Sequence, residues 1–222
     1  MAPGEIVALY GSGLGPSQLE MYTLDASGNL SKTLAGTTVL FGNQPAPVIY
    51  ASPAQTSVVV PFGVTGQSVE VVVQSQNQTA APVTVPVAAA APGLFTADAS
   101  GHGQAAALNQ NLQANSAANP AAQGSLLSLF ATGAGQMTPT ATDGAFNGVS
   151  PPSMPVLEPV AVTIGGQAAT VSAAIGAPGQ VAGMLEITVR VPSGIQPGTA
   201  VPVTLTIGGA SAQSGVSVAI GQ

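Results

Sequence analysis

The strongest constraint on this chain is that it carries one pattern twice. GEIVALYGSGLG (Gly4–Gly15) recurs as GSLLSLFATGAG (Gly124–Gly135). Ile6, Val7, Leu9 and Tyr10 fall on Leu126, Leu127, Leu129 and Phe130, and Gly13 and Gly15 on Gly133 and Gly135. A second pair aligns VLFGNQPAPV (Val39–Val48) with VTIGGQAATV (Val162–Val171), setting Gly42 on Gly165 and Gln44 on Gln167. A third sets Val60-Pro61-Phe62-Gly63 on Val191-Pro192-Ser193-Gly194, and then Val69, Val71 and Val73 on Val201, Val203 and Leu205. Three blocks matching in the same order define two copies of a unit of roughly 90 residues. Between them, from Pro92 onward, runs a polar stretch rich in Asn, Gln and Ala.

The 222 residues allow two domains of ordinary size, each long enough to bury a core. The expected division is a first unit over 1–91, a connector over 92–122 and a second unit over 123–222. Charged residues make up only 5% of the chain, against about 25% in an average globular domain. The wealth of Val, Ile and Thr and the mean hydropathy of +0.44 argue for a folded chain rather than a disordered one. Its surface must then be built from Ser, Thr, Gln, Asn and Gly.

The net charge is −6, and the two basic residues are Lys32 and Arg190. Two cations cannot neutralise the several phosphates that nucleic-acid binding requires, so that class is excluded. The same shortage argues against anionic membrane surfaces. With no cysteine there is no disulfide and no thiolate metal site. No apolar run approaches the roughly 20 residues of a membrane-spanning helix. Ala2-Pro3-Gly4 leads straight into a strand, so an export signal is expected upstream of this chain rather than within it.

Strand signals follow one another with turn residues every 8–12 positions, the spacing of an all-β sandwich or barrel. In the first unit they are Glu5–Tyr10, Thr37–Phe41, Ala46–Tyr50, Thr56–Val60, Ser68–Gln74 and Val83–Val87. Val69, Val71 and Val73 alternate with Ser68, Glu70 and Val72, the period of a half-buried strand. Pro82 and Pro86 predict an edge position for Val83–Val87. Pro16–Gly36 reads as an inserted hairpin or long loop turning at Asp25–Asn29. In the connector, Gln104–Leu108 and Leu112–Ser116 flank Asn109-Gln110-Asn111, which predicts a small hairpin. The second unit opens at Ser125–Phe130 and carries a Pro/Gly/Ser-rich loop over Thr138–Pro159, with Pro151-Pro152 and Pro155. Its strands continue at Val160–Ile164, Ala168–Ile175, Leu185–Val191, Val201–Ile207 and Gly215–Ile220. No stretch shows helical periodicity with caps.

GSGLGP followed by TTVLFGNQPAPVIYASPAQTSVVVPFGV resembles the IPT/TIG immunoglobulin-like domains. Gly13, Gly15, Val39, Phe41, Gly42, Pro45, Ala46, Val60 and Pro61 carry that likeness. The second unit keeps the skeleton, with Ile164 in place of Phe41 and Ala168 in place of Pro45. Nearly the whole chain is also similar to a C-terminal domain family frequent in proteins of soil Acidobacteria such as Solibacter. The words APGLFTADASGHGQAAALNQN, NSAANPAAQGSLLSLFATGAGQ, VAGMLEITVRVPSG and AVPVTLTIGGASAQSGVSVAI carry this second likeness. Together they imply an all-β fold: two tandem Ig-like (IPT/TIG-like) β-sandwiches joined by the connector. They imply an exported protein, with this piece as the tail after other domains, and they imply no activity.

The residues of this chain that bear chemistry read mostly as structural. His102, Ser100 and Asp98 share one loop, whereas a catalytic triad needs a base oriented across space and an oxyanion site. His102 is therefore expected to be solvent-exposed or to cap a turn. Gly11, Gly13 and Gly15, and Gly133 and Gly135, lack the helix and lysine of a phosphate-binding loop and read as turn glycines. Asp25–Asn29 and Asp98–His102 are acidic turns without the oxygen density of a calcium loop. Their Asp side chains are expected to bind backbone amides. Glu70 and Glu186 are expected to point to solvent, with Glu186 and Arg190 on one strand face. Lys32 is the sole lysine, so at most one intramolecular Lys–Asn/Asp link is available. Phe41 and Phe130 are expected in the core.

No catalytic, cofactor-binding or metal-binding residue is expected. The chain is predicted to be a non-catalytic structural or interaction module of an exported surface or extracellular protein. Its expected partners are other proteins, through self-association by edge strands into filaments or oligomers, or neighbouring domains of a longer chain. The alternative is a carbohydrate- or polymer-binding accessory module of a secreted enzyme. Without tryptophan a stacking platform is poorly supplied, and an exposed cluster of Tyr22, Tyr50, Phe62 and Phe146 is the feature that would favour it.

Overall fold

The computed structural model of the chain describes residues 1–149 and 156–222. Pro151, Pro152 and Pro155 of the expected loop lie outside the described residues. Among the described residues every regular element is a strand, and no helix is long and apolar enough to cross a membrane.

The first copy contains β1 (Ile6–Tyr10), β2 (Glu20–Met21), β3 (Thr37–Phe41), β4 (Gln44–Pro45), β5 (Val48–Ala51), β6 (Gln55–Val59), β7 (Ser68–Ser75), β8 (Gln78–Thr79) and β9 (Val83–Pro86). They form two sheets. One has the order β1-β6-β5-β2; the other has β4-β3-β7-β8, with β9 on the far part of β7. Alternate residues of the two sheets meet between them. Val39, Phe41, Val48, Val58, Val71 and Val73 are all buried there. This is an Ig-like sandwich. The inserted segment turns where expected: Asp25 Oδ1 accepts the Ser27 and Asn29 amides at 2.8 and 3.0 Å.

The second copy, with the residues before it, contains β10 (Gly93–Leu94), β11 (Gly103–Gln104), β12 (Ala107–Asn109), β13 (Leu126–Thr132), β14 (Val160–Ile164), β15 (Gln167–Gly176), β16 (Leu185–Arg190), β17 (Gly198–Ile207), β18 (Ala210–Ser211) and β19 (Val216–Ile220). They run as one continuous sheet, β10-β13-β16-β15-β14-β17-β19-β11, with β12 on β13 and β18 on β17. It folds over a core of Leu127, Leu129, Ile164, Leu185, Ile187, Leu205 and Ile207.

The repeat is visible in the strand register. In the first copy Tyr10 stands opposite Gln55 and Ala8 opposite Ser57; in the second, Phe130 stands opposite Glu186 and Ser128 opposite Thr188. Phe41 pairs with Gln44 and with Val71, as Ile164 pairs with Gln167 and with Val203. The copies differ at one corner. β15 passes unbroken from the β14 side to the β16 side, with a bulge between Val171 and Ala173. The equivalent path in the first copy is cut into β4 and β5 around Ala46-Pro47, because Pro47 has no amide hydrogen to place in a ladder.

The connector is not a free linker. β10 and β12 pair with β13, β11 runs parallel to β19, and Ala105, Ala107 and Ala121 lie in the second core. Its amides form a network: Asn115 Nδ2 donates to Asn109 Oδ1 (2.9 Å) and to the Ala219 carbonyl (2.8 Å), while Asn115 Oδ1 accepts the Ala219 amide (2.8 Å). The expected hairpin is a tight turn, in which the Asn109 amide donates to the Gln113 carbonyl (2.9 Å). Its second arm forms the isolated bridge Leu108–Ala114 rather than a strand.

Candidate functional site

The second copy lies against the outer face of the β1-β6-β5-β2 sheet. Several polar contacts seat it there. The Ile6 amide donates to Thr132 Oγ1 (2.8 Å), and that hydroxyl donates to the Gly183 carbonyl (2.8 Å). The Leu30 amide donates to the Gly144 carbonyl (2.8 Å). Asp143 Oδ1 accepts the Phe62 amide (2.8 Å), and Gln136 Nε2 donates to the Phe62 carbonyl (2.6 Å). Phe62, Ala141 and Ala182 form a small buried cluster of their own.

Beside this seam the two surfaces diverge and leave a cleft of about 640 Å³. One wall is the outer face of the first sheet. Alternation along β1 and β6 turns Tyr10, Ala8, Gln55 and Ser57 outward, while Thr56 and Val58 face the core. Tyr50 and Tyr22 complete that wall from β5 and the residue after β2. The opposite wall comes from Leu94–Thr96, Phe146 and the β15–β16 loop with Gln180, Val181 and Met184. None of the residues lining the cleft is charged.

The cleft holds all three tyrosines of the chain and two of its phenylalanines, Phe95 and Phe146. Tyr10 is 76% exposed, Tyr22 46% and Phe146 40%. The Tyr22 and Phe146 rings come from opposite walls, with centroids 6.4 Å apart and planes tilted by 53°. Gln55 Nε2 donates to the Tyr50 hydroxyl at 2.6 Å. Burial, and then the neighbouring Tyr10, push the Tyr50 phenol above its ordinary range, so it stays a neutral donor and acceptor. An uncharged cleft with exposed rings and amide side chains can stack against the C–H faces of a ligand and hydrogen-bond its hydroxyls.

Of the cluster expected from sequence, Tyr22, Tyr50 and Phe146 come together, and Tyr10 and Phe95 join them. Phe62 does not; it is only 4% exposed, and Gly4 passes directly over its ring. Phe130 also departs from expectation. It alternates with core-facing Leu127, Leu129 and Ala131, so it lies half-buried on the outer face opposite Glu186. Nothing local in the sequence shows which strand face a second unit will approach, so Tyr10 and Phe95 enter the cleft only through the fold.

The remaining candidates have local partners. Ser100 Oγ donates to the His102 carbonyl (3.0 Å) and accepts the His102 amide (3.2 Å), so the backbone of His102, not its imidazole, meets the serine. Asp98 Oδ1 accepts the Ser100 amide (3.0 Å), and the hydrogen bonds from Ser100 hold that carboxyl below its ordinary range. Glu186 Oε1 accepts the Ser128 hydroxyl (2.7 Å), and Arg190 Nη1 donates to the Gly124 carbonyl (2.6 Å), so the two share a face without pairing. Glu70 lies exposed on β7 opposite Thr84. Lys32 Nζ lies 3.8 Å from Asp143 Oδ2. Gly133 and Gly135 have positive φ, and the carbonyl oxygens of Ala91 and Ala89 sit where their Cβ atoms would be. Among the described residues no three His, Asp or Glu side chains gather.

Residues 2–87 match the model of the IPT/TIG domain. No curated protein matches the chain. Among solved structures, the chain is similar to a Bacteroides ovatus mixed-linkage glucan utilization locus SGBP-B in complex with a mixed-linkage heptasaccharide, at 18% identity and TM-score 0.37 over 99% of this chain. It is similar to SGBP-B from a xyloglucan utilization locus of Bacteroides uniformis, at 14% identity and TM-score 0.31 over 96% of this chain. It is similar to domains 4–9 of the surface layer protein SbsC, at 19% identity and TM-score 0.23 over 90% of this chain. The chain spans 42%, 45% and 25% of those three structures.

Proposed function

We propose that this chain is a non-catalytic binding module of an exported bacterial surface or extracellular protein, and that the cleft between its two copies takes a neutral polysaccharide. The observation that carries this reading is the gathering of Tyr10, Tyr22, Tyr50, Phe95 and Phe146 in one cleft without a charged side chain. A pyranose ring offers a weakly positive C–H face, which suits the negative face of an aromatic ring. Its hydroxyls suit Gln55, Ser57, Gln180 and the tyrosine phenols. A charged polymer finds no counter-ion in this cleft.

The test is affinity electrophoresis through gels containing glucan, xylan, mannan or galactan, with polygalacturonate and chitosan as charged controls. At least one neutral polymer is expected to retard the protein. Tyr22→Ala and Tyr10→Ala are each expected to weaken that retardation about tenfold, the size of one aromatic contact. Migration unchanged in all four neutral gels, or equal retardation by the charged polymers, overturns the reading. Negative-stain microscopy of the same protein separates it from assembly through edge strands: filaments or discrete oligomers without polysaccharide retardation favour a building block.

A further inference from the structure

The cleft does not end at the seam between the copies. Two of its lining residues, Phe95 and Met184, adjoin the outer face of the second copy, because Leu94 and Leu185 beside them turn into its core opposite Ala131. Phe95 follows β10, and its amide donates to the Phe130 carbonyl (3.0 Å), which places it beside Phe130. Met184 immediately precedes β16, whose outward positions are then Glu186, Thr188 and Arg190. Ser128, opposite Thr188, donates its hydroxyl to Glu186. From Met184 to Arg190 this face runs about 20 Å along the strand.

The face repeats the floor of the cleft. The pair Tyr10–Gln55 recurs as Phe130–Glu186, an aromatic ring facing a hydrogen-bonding side chain, and Ala8–Ser57 recurs as Ser128–Thr188. The duplicated unit thus presents the same two-strand surface twice, once under the cleft and once beyond it, with Phe95 and Met184 at the join.

We infer that the bound glycan is an extended chain, held in the cleft and then along the outer face of the second copy over Phe95, Phe130, Ser128, Thr188 and Glu186. This inference rests on the cleft being a neutral-glycan site. The protein then binds the interior of a polymer and discriminates by chain length. Glu186 accepts sugar hydroxyls and disfavours a uronate at that position.

Titration calorimetry with di- to octasaccharide ladders of β-1,4-glucan, β-1,4-xylan and β-1,4-mannan tests it. Affinity is expected to climb with length in the ladder that binds. Phe130→Ala and Thr188→Lys are each expected to weaken the octasaccharide roughly tenfold while leaving the disaccharide unchanged. Thermal melts confirm that each variant is folded, and Thr188→Lys, which obstructs the face without emptying a packed site, serves if Phe130→Ala does not fold. Equal affinity for disaccharide and octasaccharide, or an octasaccharide affinity that Thr188→Lys leaves unchanged, overturns the extended track while the cleft reading stands. No heat from any ladder, together with unchanged migration in all four neutral gels, overturns both.

Discussion

Glu5 shows how a single side chain sets a pH response in this nearly uncharged protein. Its carboxylate accepts the Ala2 amide at 2.7 Å, yet burial pushes its pKa above the ordinary 4.5, outweighing that hydrogen bond. A carboxyl whose folded pKa is raised binds its proton more tightly in the folded state. Its stabilising contribution is complete below the unfolded value and is lost as pH rises through the folded one. Glu5→Gln keeps an acceptor for Ala2 and removes the buried charge. The variant is expected to melt higher than the parent at pH 7, with the difference closing toward pH 4; thermal melts at the two pH values measure it. The tyrosines are the counterpart. Tyr10 and Tyr22 stand exposed and Tyr50 is half-buried, and on the proposed reading the loss of Tyr10 or Tyr22 is expected to alter binding more than folding. Their number was legible in the sequence. Their convergence was not, because strand alternation says which residues share a face and nothing about what approaches that face.

At the scale of the element, the G-x-G ends of β1 and β13 differ in a testable way. Gly13 and Gly135 both have positive φ, +70° and +77°. Around Gly13 nothing lies where a Cβ would go, whereas Gly135 is met by the Ala89 carbonyl. Gly13→Ala therefore meets backbone strain alone, about 1 kcal/mol. Gly135→Ala meets strain and overlap with backbone together, about 3 kcal/mol. Urea titrations of the two variants are expected to separate them by that margin, and equal losses would show that the segment over Gly135 yields freely. The strands were largely legible, since β3, β6, β7, β14, β16, β17 and β19 follow the Val/Ile/Leu alternation within a few residues. The two-residue strands β8, β10 and β18 were not, because so short a stretch has no period. The small hairpin of the connector was legible, but the burial of its amides was not: Asn115 bonds Asn109 on one side and the Ala219 backbone of β19 on the other.

For the whole molecule, the seam between the copies decides whether the cleft exists. The ion pair Lys32–Asp143 crosses it, with Lys32 45% exposed and the distance 3.8 Å. Solvent screens such a pair, so Lys32→Met is expected to cost about 0.5 kcal/mol or less. Asp143 also accepts the Phe62 amide at 2.8 Å next to the buried Phe62–Ala141–Ala182 cluster. Asp143→Ala leaves that amide without its partner and is expected to cost about 2 kcal/mol. It is also expected to weaken polysaccharide retardation although Asp143 lies outside the cleft. Denaturation curves and affinity gels of the two variants check both halves of this expectation; a larger loss for Lys32→Met would make the pair, not the hydrogen bond, the fastening.

Sequence by itself determined the all-β class, the duplication and its register. Those follow from local terms: the period of two, the turn residues and the recurrence of whole words at matching positions. Tertiary structure alone decided that the connector packs into the second copy, that Phe62 is buried and Phe130 outward, and that five aromatic residues from distant segments share one cleft. Those outcomes depend on how one sandwich lies against the next. That placement is set by a few long-range contacts, such as Ile6 with Thr132 and Leu30 with Gly144, which leave no periodic trace in the chain.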